Sequence, residues 1–122
     1  MQKNPLYLVT HSELTSGYQT AQVAHAVADF AAYRTEQFVK WHKESQFVVA
    51  LQCKNQAELE KLFKKAKREG YDVVAFYEED LDGAMTSVAF SPHGRNKNFL
   101  SRLPLAGSVT GKTNKHNTAG LE

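Results

Sequence analysis

"SGYQTAQVAHAVADF", residues 16–30, is the stretch on which the reading of this chain turns. Ser16 with Gln19 three residues on has the form of a capping box, in which the two side chains satisfy orphan amides at a helix start. Val23, Val27 and Phe30, with Ala24 and Ala31 beside them, recur at helical spacing and predict an apolar face for a core. Tyr18, Gln22, His25 and Asp29 share a second face at intervals of four, three and four. Lysines and glutamates would solubilise such a face equally well, so the row of phenol, carboxamide, imidazole and carboxylate raises the question of a chemical role. For His25 two readings stay open, a hydrogen-bonded structural histidine or a site group, because periodicity alone does not separate them.

Working outward, "LYLVT" (6–10) reads as a short buried strand and "HSELTSG" (11–17) as a polar turn leading into the helix. "TEQFVKWHKES" (35–45) places Phe38 and Trp41 three apart and reads as a second helix or a continuation of the first. "FVVALQ" (47–52) is rich in β-branched residues and predicts a second strand. Asn55 with Glu58 forms another capping box for a helix whose buried face is Leu59, Leu62, Phe63 and Ala66, ended by Gly70. Lys61, Lys64, Lys65, Lys67 and Arg68 crowd the rest of it. "DVVAFY" (72–77) is a third strand, "EEDLDGAM" (78–85) an acidic connection, and "TSVAFS" (86–91) a fourth strand stopped by Pro92.

Strands alternating with helices imply an α/β class with mostly parallel connections and helices packed on the sheet; the first two strands need not be neighbours, and the last two can pair antiparallel. A chain of 122 residues is expected to form one domain that buries roughly two thirds of its unfolded surface. The single Cys53 excludes an internal disulfide, and no apolar run is long enough to span a bilayer, so a reducing cytoplasmic setting without membrane contact is expected. The N-terminus "MQKNPLYLVT" lacks the apolar core and cleavage site of a secretory signal and is read as mature sequence. A net charge of +2 says little about partners.

"AGSVTGKT" (106–113) matches a relaxed phosphate-loop pattern, but such a loop needs a strand before it and a helix after it. Neither is predicted there, and residues 106–122 read as a flexible, basic tail. The five histidines lack the close pairing of a zinc site, so neither metal nor cofactor is expected. The acidic connection lies at a strand's carboxyl end, where ligands of open α/β sheets bind, although a solvated turn has the same composition. The basic helix likewise reads as a solvated face or as a contact for RNA phosphate.

In order along the chain, "LYLVT", "LTSGYQTAQVAHAVADF" and "FYEEDLDGAMTSVAFSP" resemble the motifs of the peptidyl-tRNA hydrolase family of archaea and eukaryotes, especially its shorter bacterial and phage branch. The resemblance runs over residues 6–105, and its most specific element is Gly17, Ala21, Gln22, His25 and Ala26 in the pattern Gly-x-x-x-Ala-Gln-x-x-His-Ala. It implies a single domain over 1–105, with a four-stranded mixed β-sheet and helices packed on both faces. It further implies an enzyme that cleaves the ester between peptide and tRNA, with peptidyl-tRNA or tRNA as partner. By resemblance, Gln22 and His25 support the reacting groups, Asp80 orients or deprotonates water, and Thr86 donates a hydrogen bond. Gly17 and Tyr18 open the helix at the cleft, where its amides face anionic RNA.

Better-known members carry lysine where this chain has Tyr18, so a fixed positive charge is replaced by a neutral phenol. His11, Arg95 and Lys97 are the expected substitutes, with Lys61, Lys64 and Lys65 for phosphate contact. The same replacement supports an alternative, a catalytically inactive module on this scaffold that binds tRNA or a protein partner. Hydrolysis of another ester or amide is a third reading, since fold does not fix function. Related proteins can pair near a sheet edge or helices, so a homodimer is compatible with the resemblance.

Overall fold

The computed structural model describes residues 3–109. In order they form β1 (Leu6–His11), α1 (Ser16–Tyr33), α2 (Thr35–Glu44), β2 (Val48–Cys53), α3 (Gln56–Arg68), β3 (Val73–Glu78), a 3-10 turn (Glu79–Leu81), β4 (Ala84–Phe90) and α4 (Asn96–Phe99). The fold is α/β, with one four-stranded mixed sheet in the order β2-β1-β4-β3. β1 and β2 are neighbours and pair in parallel, while β4 runs antiparallel to both β1 and β3. The helical crossovers therefore leave β1, β2 and β3 pointing the same way, as their connections imply. Inserting β4 between β1 and β3 adds two antiparallel pairs, so the sheet is mixed, and the last two strands pair antiparallel. One end of the sheet then collects the carboxyl ends of β1, β2 and β3, at His11, Cys53 and Glu78.

Both faces are covered, so β1 is buried at every residue and alternates between two cores. Leu6, Leu8 and Ala89 pack under Ala26 and Phe30 of α1 and Trp41 of α2. Tyr7, Val9, Leu51, Val88 and Phe90 pack under Leu59 and Ala66 of α3 and Leu100. Burying one such large side chain completely contributes about 1.5–3 kcal/mol. Asn55 caps α3 as its sequence predicts, its carboxamide oxygen accepting the Glu58 N–H at 2.9 Å. Gly70 leaves that helix end at φ +84°, in the left-handed region that glycine adopts without strain.

The start of α1 differs from the sequence reading. Thr15, not Ser16, is the cap, and its hydroxyl accepts the Tyr18 N–H at 3.3 Å. Gln19 does not reach back, because its amide nitrogen is buried and donates to the His11 carbonyl and to Gln52 Oε1, both at 2.9 Å. At the other end, the chain breaks at Arg34 (φ −135°, ψ 56°), which makes α2 a separate helix; Arg34 Nε then pairs with Asp72 at 2.8 Å.

After α4 the chain returns along the open edge of β2. Gln52 N–H donates to Pro104 O at 3.0 Å and Ala106 N–H to Ala50 O at 2.9 Å, covering part of an otherwise unpaired strand edge. Gly107 (φ +87°) turns the segment inward, where its N–H donates to Gln52 Oε1 at 3.0 Å and Ser108 O accepts from Gln52 Nε2 at 3.2 Å. Residues 104–108 thus form a strap held to β2. Most of the expected tail, and the second half of the phosphate-loop-like string, lie outside the described residues.

Candidate active site

The site begins with an irregularity in β4. Phe76 of β3 pairs with Ser87, but the next residue, Tyr77, pairs with Met85, so Thr86 is an extra residue in the ladder. Such a bulge resets the alternation of side chains. Met85 turns to the α3 face, and Thr86 and Ser87 both send hydroxyls to α1. Ser87 Oγ donates to the Gln22 carbonyl at 2.7 Å, and Thr86 Oγ1 donates to Gln22 Oε1 at 2.6 Å. Thr10 Oγ1 secures the bulge from β1 by donating to the Thr86 carbonyl at 2.8 Å. All of these side chains are buried, Gln22 being only 1% exposed.

The chain of bonds has one consistent direction. Glu78 as a carboxylate only accepts, so the Gln22 NH₂ must face it, and it does, at 2.8 Å from Glu78 Oε1. The carboxamide oxygen then faces Thr86, whose single hydroxyl proton is committed to it. The other Glu78 oxygen accepts the Asp80 N–H at 3.2 Å. The Gln22 hydrogen bond, and after it the Asp80 amide and the His25 charge, hold the Glu78 carboxyl below the usual glutamate range against the opposing effect of burial. Tyr18, one turn before Gln22, has its phenol pushed up by burial and then by the negative charges of Glu78 and Asp80. It therefore stands beside these carboxylates as a neutral group. His25, one turn after Gln22, is exposed and stacks on Phe76 with ring centroids 4.5 Å apart and planes 9° from parallel.

Gln22, His25, Thr86, Tyr18 and the Asp80 amide thus converge around Glu78, and Gly17 stands in the same first turn with open space where a side chain would begin. The basic residues singled out from the sequence lie elsewhere. Lys61, Lys64 and Lys65 belong to α3, across the sheet, and Lys61 approaches Glu58 of its own helix at 3.7 Å. The Arg95 guanidinium lies 3.8 Å from the centre of the Tyr71 ring, before the start of β3 and at the opposite end of the sheet from Glu78; Lys97 is in α4 at that same end. His11 is buried with Nδ1 unpartnered, 3.9 Å from Glu13, and burial lowers its pKa. A histidine so placed favours its neutral form, which runs against its expected role as a substitute cation.

The sequence reading undervalued Glu78, which it grouped with a solvated acidic turn, gave Gln19 only a capping role, and did not single out Thr10, Gln52 or Ser87. Gln19 and Gln52 link the strap to the first turn of α1 and to the end of β1. Phe76 carried one usable signal, an aromatic two residues before Glu78 and hence on the same strand face. Among the described residues no group of three or more His, Cys, Asp or Glu side chains could hold a metal ion, and no helix is long and apolar enough to cross a membrane.

Residues 6–98 match the family model described as peptidyl-tRNA hydrolase PTH2. The chain belongs to this family. No curated protein matches it. The segment shared with the PTH2 family runs from the first residue of β1 into α4, so it contains the whole Thr86–Gln22–Glu78 chain and ends before the strap.

Proposed function

We propose that the protein hydrolyses the ester joining a peptide to the terminal ribose of tRNA and releases free tRNA, with Glu78 as the carboxylate that engages water. Membership of the peptidyl-tRNA hydrolase PTH2 family supports the reaction class. The observation that carries the choice of residue is the fixing of Glu78 by Gln22, itself locked by a buried threonine hydroxyl. A carboxylate held below its usual range is ionised at neutral pH but a weak base, so its first contribution is to aim a water at the ester carbonyl. As the water oxygen bonds to the carbonyl carbon, its proton passes to Glu78. The oxyanion then collapses, the bond from carbonyl carbon to ribose oxygen breaks, and the ribose oxygen takes the proton back from Glu78. The products are a peptide acid and a tRNA hydroxyl.

Thr86 and Gln22 act here as positioning residues. Asp80, by contrast, contributes its main-chain N–H, and its side chain is exposed.

Single-turnover hydrolysis of an N-blocked aminoacyl-tRNA tests this reading. Glu78→Gln is expected to lose about 10²–10⁴ in rate, the range of general acid–base catalysis, while Asp80→Asn keeps most of it. Loss in Asp80→Asn with the rate kept in Glu78→Gln would return the role to Asp80.

The neutral Tyr18 beside Glu78 favours a second reading, the inactive binding module. Hydrolysis by Tyr18→Lys but not by the parent would establish it.

A further inference from the structure

We infer that the exposed face of the His25 ring, backed by Phe76, is a stacking platform for the terminal nucleobase of the tRNA substrate. This rests on the reading that the substrate is a tRNA-linked ester. Phe76 covers one face of the imidazole in a nearly parallel stack at 4.5 Å, yet His25 remains exposed, so the accessible surface is its other face and its edge. A bare surface imidazole is a floppy stacking partner. One pinned between a helix and an aromatic ring of the sheet is already ordered, and little freedom is left to lose on binding. His25 follows Gln22 by three residues, about 4.5 Å along the helix axis, and Phe76 precedes Glu78 by two on the same strand face. The platform therefore adjoins the carboxylate. Base and ester hang on the same terminal ribose, so a base over His25 leaves its ester next to Glu78.

Charge points the same way. Glu78, Glu79, Asp80 and Asp82 make this end of the sheet repel phosphate, and Lys61, Lys64, Lys65, Arg95 and Lys97 lie on the other face or at the other end. Lys54, at the end of β2, is three strand spacings from Glu78, about 14 Å. None of these lysines and arginines stands beside the carboxylate, so a stacking contact is the local source of attraction for the nucleotide there. A single-stranded end presents an unpaired base, and aromatic and imidazole rings are its usual platforms.

The test uses the full chain and an RNA hairpin with a tRNA-like single-stranded end, carrying N-acetyl-phenylalanine through a 3′-amide that resists hydrolysis. The parent is expected to bind this probe between about fivefold and a hundredfold more tightly than the same probe with an abasic terminal nucleotide, the span of one base–aromatic stack. His25→Ala should abolish that difference, and His25→Phe should retain it. With 2-aminopurine as the terminal base, binding to the parent should quench its fluorescence and binding to His25→Ala should not. An unchanged preference for the intact base in His25→Ala, or no quenching by the parent, overturns the platform. The parent measurement decides even where His25→Ala fails to fold. Because the probe is not cleaved, a parent that lacks hydrolytic activity but shows the quenching sinks the catalytic reading and leaves the platform standing. Hydrolysis without any base preference does the reverse.

Discussion

The two faces of the sheet are built on different terms. On the α3 side, Val9, Leu51, Val88 and Phe90 meet Leu59 and Ala66 in an apolar cluster whose position is set by volume and burial. On the α1 side the apolar cluster of Leu6, Leu8, Ala26 and Phe30 occupies one end, and the other is threaded by Thr10, Thr86, Ser87, Gln22, Gln19 and Gln52, all buried and hydrogen-bonded. Apolar packing tolerates exchange of one side chain for another of similar size. A buried polar chain does not, since losing one member strands its neighbour at about 1–3 kcal/mol. The difference teaches that this fold places directional bonding around the Glu78 carboxylate and uses simple burial elsewhere.

The comparison can be broken first at Glu78. Glu78→Gln should lose two to four orders of magnitude in single-turnover rate with a melting temperature close to the parent's, whereas a matched fall in both would merge chemistry with packing. Leu59→Ala is the converse. It should cost about 2–5 kcal/mol in denaturant unfolding and leave the rate per folded molecule unchanged.

Gln22→Leu should show both signatures, a loss of about 1–3 kcal/mol from the stranded Thr86 hydroxyl and a shift in the pH profile. Glu78 is ionised above its depressed pKa and loses its charge as pH falls through it, so the parent's acid limb should lie below the usual glutamate range. Without the Gln22 donor that pKa rises, and the limb should move to higher pH. A limb that stays in place would separate Glu78 from the rate. The smallest effect is expected from exchanging Lys61, Lys64 and Lys65 for glutamine, which should leave kcat unchanged and alter KM only modestly. A fall in kcat would extend the site to the α3 face.

How far the sequence revealed this division depends on how local each signal was. Asn55 and Gly70 announce a helix start and stop because the cap and the left-handed turn are satisfied within a few residues. Gln19 and Gln22 misled for the opposite reason. Their polarity assigned them to the cap and to an outward stripe, but their partners, Gln52, Thr86 and Glu78, are 33, 64 and 56 residues away. A buried polar residue satisfied by a distant strand is locally indistinguishable from an exposed one. The break at Arg34 is of the same kind, since its side chain pairs with Asp72, 38 residues on. The basic residues misled differently: Arg95 and Lys97 are close to β4 in sequence, yet β4 runs away from the site toward them. Resemblance supplied Gln22, His25 and Thr86, and strand direction is what separates them from the cations.

The bulge at Thr86 makes the protein vulnerable to one class of genetic change above others. Deleting a single codon there would restore an unbroken β3–β4 ladder, and the sheet would gain in regularity. The Gln22 carboxamide would at the same time lose the threonine that sets its direction, and Glu78 would lose its mooring. Regularity of the sheet and the Thr86–Gln22–Glu78 chain therefore pull this strand toward different lengths, and a frame-preserving loss of three bases here would keep the sheet while releasing the Glu78 carboxylate.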